Sequence, residues 1–135
     1  MRKNRTTIAR AAALVTFAGL AWACSKSGFT GVTLLDAPSV AMTDQLTFDP
    51  DTVTIQVNGT VTWANNSAAA HTVTCDPALA QDSADVLLPD SATAFNSDSI
   101  APHGSFSHKF TVPGVYEYFS IPDEAGGMRG WVIVQ

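Results

Sequence analysis

The sequence predicts an all-β sandwich or barrel, and three observations carry that expectation. Short runs alternate apolar and polar residues with a period of two, turn dipeptides separate the runs at close spacing, and helical periodicity is almost absent beyond the N-terminus. Nine Gly and seven Pro fit a chain of many turns. With 135 residues, 46% hydrophobic and 14% charged, there is room for one compact domain.

The N-terminus reads as an address. Arg2, Lys3, Arg5 and Arg10 precede an apolar run from Ala11 to Ala23 that only Thr16 interrupts. A basic start and an apolar run too short to span a bilayer comfortably are the marks of a secretory signal peptide, with a membrane helix as the alternative reading. Leu20-Ala21-Trp22-Ala23-Cys24 resembles a bacterial lipoprotein cleavage box, with Ala21 where that box usually carries Leu. The resemblance implies lipidation at Cys24 and an exported chain anchored in the cell envelope, facing the periplasm or the cell surface. The expected organisation is therefore signal peptide 1–23, lipid-anchored tether 24–40 and a domain from 41 to 135. Contact with the membrane would be through the lipid alone. Cys75 is then left without a disulfide partner.

Removal of the first 23 residues leaves Lys26, Lys109 and Arg129 against twelve acidic side chains. A domain of that sign repels phosphate backbones, which excludes nucleic acid and favours cations or a basic protein as partners.

In the body, Thr52-Val53-Thr54-Ile55-Gln56-Val57 alternates strictly and Asn58-Gly59 follows as a hairpin signal. Thr60-Val61-Thr62-Trp63-Ala64 alternates again. His71 to Cys75 makes a third strand after the small-residue loop 65–70. Ser105 to Val112 and Val115 to Ser120 meet at the turn dipeptide Pro113-Gly114, and Gly130 to Val134 is the last strand. Between Asp76 and Asp98 the pattern lapses into an acidic excursion with Pro77, Pro89 and at most a helical turn near Ala78 to Ala84.

From Phe48 onward these residues resemble the cupredoxins of the plastocyanin/azurin type, the blue copper electron carriers. The resemblance rests on Phe48-Asp49-Pro50, the Val57-to-Trp63 segment, Asn65-Asn66 ahead of His71, Ala101-Pro102, and Phe106-Ser107-His108. It continues through Pro113-Gly114-Val115-Tyr116-Glu117-Tyr118 and Gly127-Met128-Arg129-Gly130-Trp131-Val132. It implies a Greek-key β-sandwich and a copper site built from one His after the Asn-rich loop plus Cys, His and Met on one later loop. In this chain the first His is His71 and the Met is Met128, with Pro122 at the loop's proline. Ser120 stands at the Cys position and Asp123 at the second His position.

Those two residues change the chemistry. Blue copper draws its character from a His₂Cys set with a weak axial Met. A serine hydroxyl is too weak an acid to replace a thiolate, and a carboxylate suits Cu(II) or Zn(II) better than Cu(I). Copper, if held, is expected in a weak or non-blue site. Cys75 stands four residues beyond His71, about 13 Å away on a regular strand at ~3.3 Å per residue, which is too far to share a metal. It reads as a buried structural residue, with an exposed thiol as the alternative. His103, in Ala101-Pro102-His103-Gly104, is either a compensating imidazole or a surface residue without a role. The aromatic residues Trp63, Phe106, Phe110, Tyr116, Tyr118 and Trp131 are expected in core or flank packing. Asp76, Asp82, Asp85 and Asp90 are a solvated loop or a docking patch for a basic or redox partner. No nucleophile motif surrounds Ser120, and no enzyme activity is expected. Two classes of function stay open: a non-blue divalent-metal site on His71 and Asp123, or a metal-free interaction module on the envelope. The residue that separates them is Asp123, according to whether it points at His71.

Overall fold

The computed structural model describes residues 37–135; the expected signal peptide, Cys24 and most of the tether lie outside the described residues. Nine strands and two 3-10 turns make up the described chain. The strands are β1 (Ser39–Met42), β2 (Phe48–Asp49), β3 (Thr52–Ile55), β4 (Thr60–Asn65), β5 (Thr74–Cys75), β6 (Phe95–Asn96), β7 (Ser105–Lys109), β8 (Gly114–Phe119) and β9 (Arg129–Val134). They form a four-stranded sheet in the order β2-β1-β4-β7 and a five-stranded sheet in the order β3-β9-β8-β5-β6. β1 runs parallel to β4 and β3 parallel to β9, and the other pairings are antiparallel. The expected all-β sandwich is the observed architecture. Among the described residues no helix is long and apolar enough to cross a membrane.

Period-two alternation sets the layers. Val53 and Ile55 of β3, Val61 and Trp63 of β4, and Val132 and Val134 of β9 are buried, while their neighbours face outward. The centre is aromatic. Trp63 is fully buried and packs on Tyr118 at a ring separation of 5.2 Å, on Phe106 at 5.9 Å, on Phe110 at 6.4 Å and on Phe95 at 6.5 Å. Trp131 lies on the opposite, outward register of β9 and is half-buried there. Gly130 has no alternative in this packing, because a Cβ at that position would stand 2.5 Å from the Tyr118 hydroxyl.

Two expectations are corrected, and the turn at Pro113-Gly114 is placed between the sheets. Asn58-Gly59 does not close a hairpin, since β3 pairs with β9 in one sheet and β4 with β1 and β7 in the other. The turn instead carries the chain across the sandwich, with Asn58 in the left-handed region (φ 70°) and its N–H donated to Phe110 O at 2.7 Å. Alternation and turn chemistry look the same for a hairpin and for such an arch, because both strands turn their apolar side to one core. The Pro113-Gly114 segment likewise passes between sheets, fixed by a Tyr116 hydroxyl that donates to Val112 O at 2.8 Å. Finally, β1 begins at Ser39 with Val40 fully buried, so the fold starts inside the stretch expected to be tether.

The acidic excursion is also more ordered than its pattern suggests. β6 lies within it and pairs with β5, Leu87 bridges to Glu117 of β8, and its 3-10 turn is confined to Ser83–Asp85. β4 runs from the Gly59 turn, here called the base, to Asn65 at the opposite end, here called the pole.

Candidate metal centre

The pole is organised first by Asn65. Its buried amide donates to Ala69 O at 2.8 Å and Ile100 O at 2.9 Å, and its Oδ1 accepts from Ser67 N at 3.0 Å. This folds residues 65–70 into a tight loop and delivers His71 inward as an isolated bridge to Ile100. The His71 ring has no exposed surface.

Ser120 follows β8 and is fully buried. Its Oγ accepts from Thr72 N at 3.2 Å and donates to Asp123 Oδ2 at 2.7 Å. Asp123 is set in the 3-10 turn Ile121–Gly126, which Pro122 opens and Gly127 closes in the left-handed region at φ 79°. Met128, fully buried, ties the other side of the loop: its carbonyl accepts from Ser120 N at 3.1 Å.

Asp123 does point at His71. The same Oδ2 that takes the Ser120 hydroxyl lies 2.7 Å from His71 Nδ1, and His71 Nε2 lies 2.8 Å from Ser67 Oγ. Ser67 Oγ also faces Asn65 Oδ1 at 2.7 Å. Each ring nitrogen thus has a protein partner, and Ser67 Oγ also reaches Ala69 O at 3.0 Å. The result is one continuous chain of hydrogen bonds: Asn65, Ser67, His71, Asp123, Ser120. Residues on the two loops that carry His71 and Ser120–Met128 are thus brought together, an arrangement the spacing permits but does not dictate.

His103 is not part of the set. It is exposed, occupies the left-handed region at φ 66°, and its N–H closes the turn onto Asn65 O at 2.9 Å. Among the described residues no three His, Cys, Asp or Glu side chains cluster as metal donors.

The family described as copper binding proteins, plastocyanin/azurin family, matches residues 37–135. The chain belongs to this family. It is 32% identical to a chloroplastic plastocyanin of Tetradesmus obliquus over 137 residues, covering 99% of this chain and 91% of that one. A plastocyanin of Scenedesmus fuscus is 36% identical over 67% of this chain and 88% of its own. Among solved structures, a mutant amicyanin in its reduced Cu(I) form at pH 4 matches with a TM-score of 0.58 and 26% identity, covering 74% of this chain and 83% of that one. A mutant fern plastocyanin matches the fold with a TM-score of 0.55.

The residues of this cupredoxin do not fit blue copper. Among the described residues no thiol stands at the pole, and the imidazole nitrogens of His71 are both engaged by protein groups. Cys75 offers no rescue: it is fully buried in β5, its Sγ donates to Leu87 O at 3.2 Å, and burial next to Asp76 and Glu117 pushes its thiol up to about 12. A thiol held protonated in that way is no copper ligand near neutral pH.

Ser67, His71 and Asp123 share the bonding order of a hydrolase triad, hydroxyl to Nε2 and carboxylate to Nδ1. The hydroxyl is sealed, however. Ser67 is 3% exposed and its oxygen is already bonded by Ala69 N, Asn65 Oδ1 and His71, which leaves a substrate carbonyl no approach.

Sequence reading missed Ser67, and it missed Glu124. The Glu124 side chain turns away from the pole and accepts from Gln81 N at 2.8 Å and Asp82 N at 3.0 Å. Consecutive carboxylates therefore pull in different directions, Asp123 onto His71 and Glu124 onto the acidic excursion. Arg129 pairs with Asp85 and approaches Glu117 at 3.9 Å, which fixes the same excursion from the strand side. Neither Ser67 nor Glu124 has a sequence signal beyond lying in a loop, because each partner is brought to it by the tertiary fold.

Proposed function

We propose that this is a plastocyanin-like domain exported to the bacterial cell envelope and anchored through lipid at Cys24, in which blue-copper electron transfer has been given up. A divalent cation finds at most a non-blue site there, on His71 Nδ1 and Asp123 Oδ2, with Ser120 bonded to the same oxygen and Met128 further along the same loop. The observation that carries this reading is the convergence of His71 and Ser120 on one carboxylate oxygen, each at 2.7 Å. A nitrogen and a hard oxygen on adjacent loops suit Cu(II) or Zn(II) and disfavour Cu(I), so such a site does not carry electrons quickly. The surplus of acids suits a basic protein or redox partner, and nucleic acid is repelled.

A second reading, a metal-free interaction module, is favoured by the same hydrogen bonds seen from the other side. Both ring nitrogens already have partners, so an ion has to displace a hydrogen from Nδ1 to bind.

Titration of the purified protein with Cu(II), followed by calorimetry and the visible spectrum, separates these readings. One-to-one binding without an intense blue band, weakened by Asp123→Ala, supports the non-blue site. No binding supports the metal-free module. An intense blue band overturns both.

A further inference from the structure

We propose that Ser120 and Asp123 are a matched pair, and that the pole is a metal-independent clamp rebuilt on the copper position rather than a copper site in decay. The inference rests on the reading that blue copper is absent from this domain.

A decayed site leaves a recognisable trace. Removing a metal and two ligands from a buried pole strands the remaining polar atoms, and each buried orphan costs about 1–3 kcal/mol. No such trace is present. Asn65, Ser67, His71 and Ser120 are all buried, yet the only buried side-chain polar atoms without a partner among the described residues are Trp63 Nε1 and Tyr118 Oη, in the aromatic centre.

Each substituted residue also supplies what the other needs. The Asp123 oxygen gives His71 Nδ1 an acceptor, and Ser120 gives that oxygen a second donor. Ser120 is free to donate because Thr72 N occupies a lone pair of its Oγ. A thiol at position 120 is a weak donor, and an imidazole at position 123 brings no carboxylate; either residue alone leaves the other short of a partner.

The geometry is that of a tie. His71 lies on the connection from β4 in the four-stranded sheet to β5 in the five-stranded sheet, and Ser120 and Asp123 follow β8, the neighbour of β5. The bonds of His71, Asp123 and Ser120 fasten the segments beside β5 and β8, and Ser67 carries the chain on to Asn65 at the end of β4, so the network as a whole links the five-stranded sheet to the four-stranded one.

Thermal melts of the full chain in EDTA test this with Ser120→Ala, Asp123→Ala and the double variant. The clamp predicts that EDTA leaves the wild-type Tm unchanged and that each single substitution lowers it by about 5 °C or more. It also predicts that the double variant loses clearly less than the sum, because the two side chains share one bond. Single substitutions without effect, additive losses, or a Tm lowered by EDTA overturn it. Hydrogen exchange on the wild type, which needs no variant to fold, gives a second measure. The Thr72 amide, bonded to Ser120 Oγ, is expected to be at least 100-fold protected with or without EDTA; fast exchange there overturns the clamp. A blue band on copper addition would instead sink the functional reading, so the two failures are distinct.

Discussion

Trp63 in the aromatic centre and Asn65, His71 and Ser120 at the pole are all buried, yet the two regions are held in opposite ways. Around Trp63 the contacts are ring on ring, and the indole N–H and the Tyr118 hydroxyl, side by side, have only each other and no well-formed hydrogen bond. At the pole the side chains are small and polar, and each buried donor or acceptor has its counterpart. The difference teaches where each energy comes from. Large rings bury ~150–250 Å² apiece, enough to absorb the cost of an orphaned polar atom. Asn, Ser and His bury too little apolar surface for that, so their loops are ordered only if the bond count closes.

Truncation of Trp63 to Ala is expected to have the largest effect on stability. It removes the ring on which Tyr118, Phe95, Phe106 and Phe110 all rest, and should cost about 3–5 kcal/mol in a urea titration. A loss below that of the pole variants would mean that the core is secondary. Glu124→Gln is smaller and local. The side chain keeps its shape but loses the charge that anchors Gln81 N and Asp82 N, for an expected cost of about 1–2 kcal/mol. Faster amide exchange at those two residues, with β8 and β9 unchanged, is the signature to look for.

The smallest expected effect lies on the border between the two kinds of environment. His108 of β7 stacks on Phe95 at 4.0 Å, and burial lowers its pKa from the ordinary 6.5. The unfolded chain then takes up the proton first as pH falls. The stabilisation from neutral His108 is complete above about pH 6.5 and is lost as pH drops through the lowered folded value. Urea midpoints at pH 8 and pH 5 should differ more for the wild type than for His108→Gln. Equal differences would show that the ring titrates as if in water.

How much of this was legible beforehand divides along the same line. The alternation in Thr52–Ile55 and Thr60–Asn65 reflects burial, which depends on the chain's own pattern, and so those strands were read correctly. Their assignment to different sheets was not, because the Asn58-Gly59 turn gives no sign of which strand will lie alongside. The strand Thr74–Cys75 was legible as the end of the run His71–Cys75, whereas Phe95–Asn96 carries too few residues for any period to appear. At the pole, the positions of His71, Ser120, Asp123 and Met128 followed from family resemblance and loop spacing. The closure of the network through Ser67 did not. It depends on a tight loop that Asn65 folds by bonding to Ala69 and to Ile100, a residue 35 positions away.

The arch at Gly59 and the parallel run of β1 beside β4 have a practical corollary. Ala37, Pro38, Gly59 and Gln135 line one cleft at the base, so both ends of the described chain emerge on the side remote from His71. Immobilising the domain through either end, on a sensor chip or a bead, therefore leaves the His71 face turned toward solution and available to whatever is passed over it.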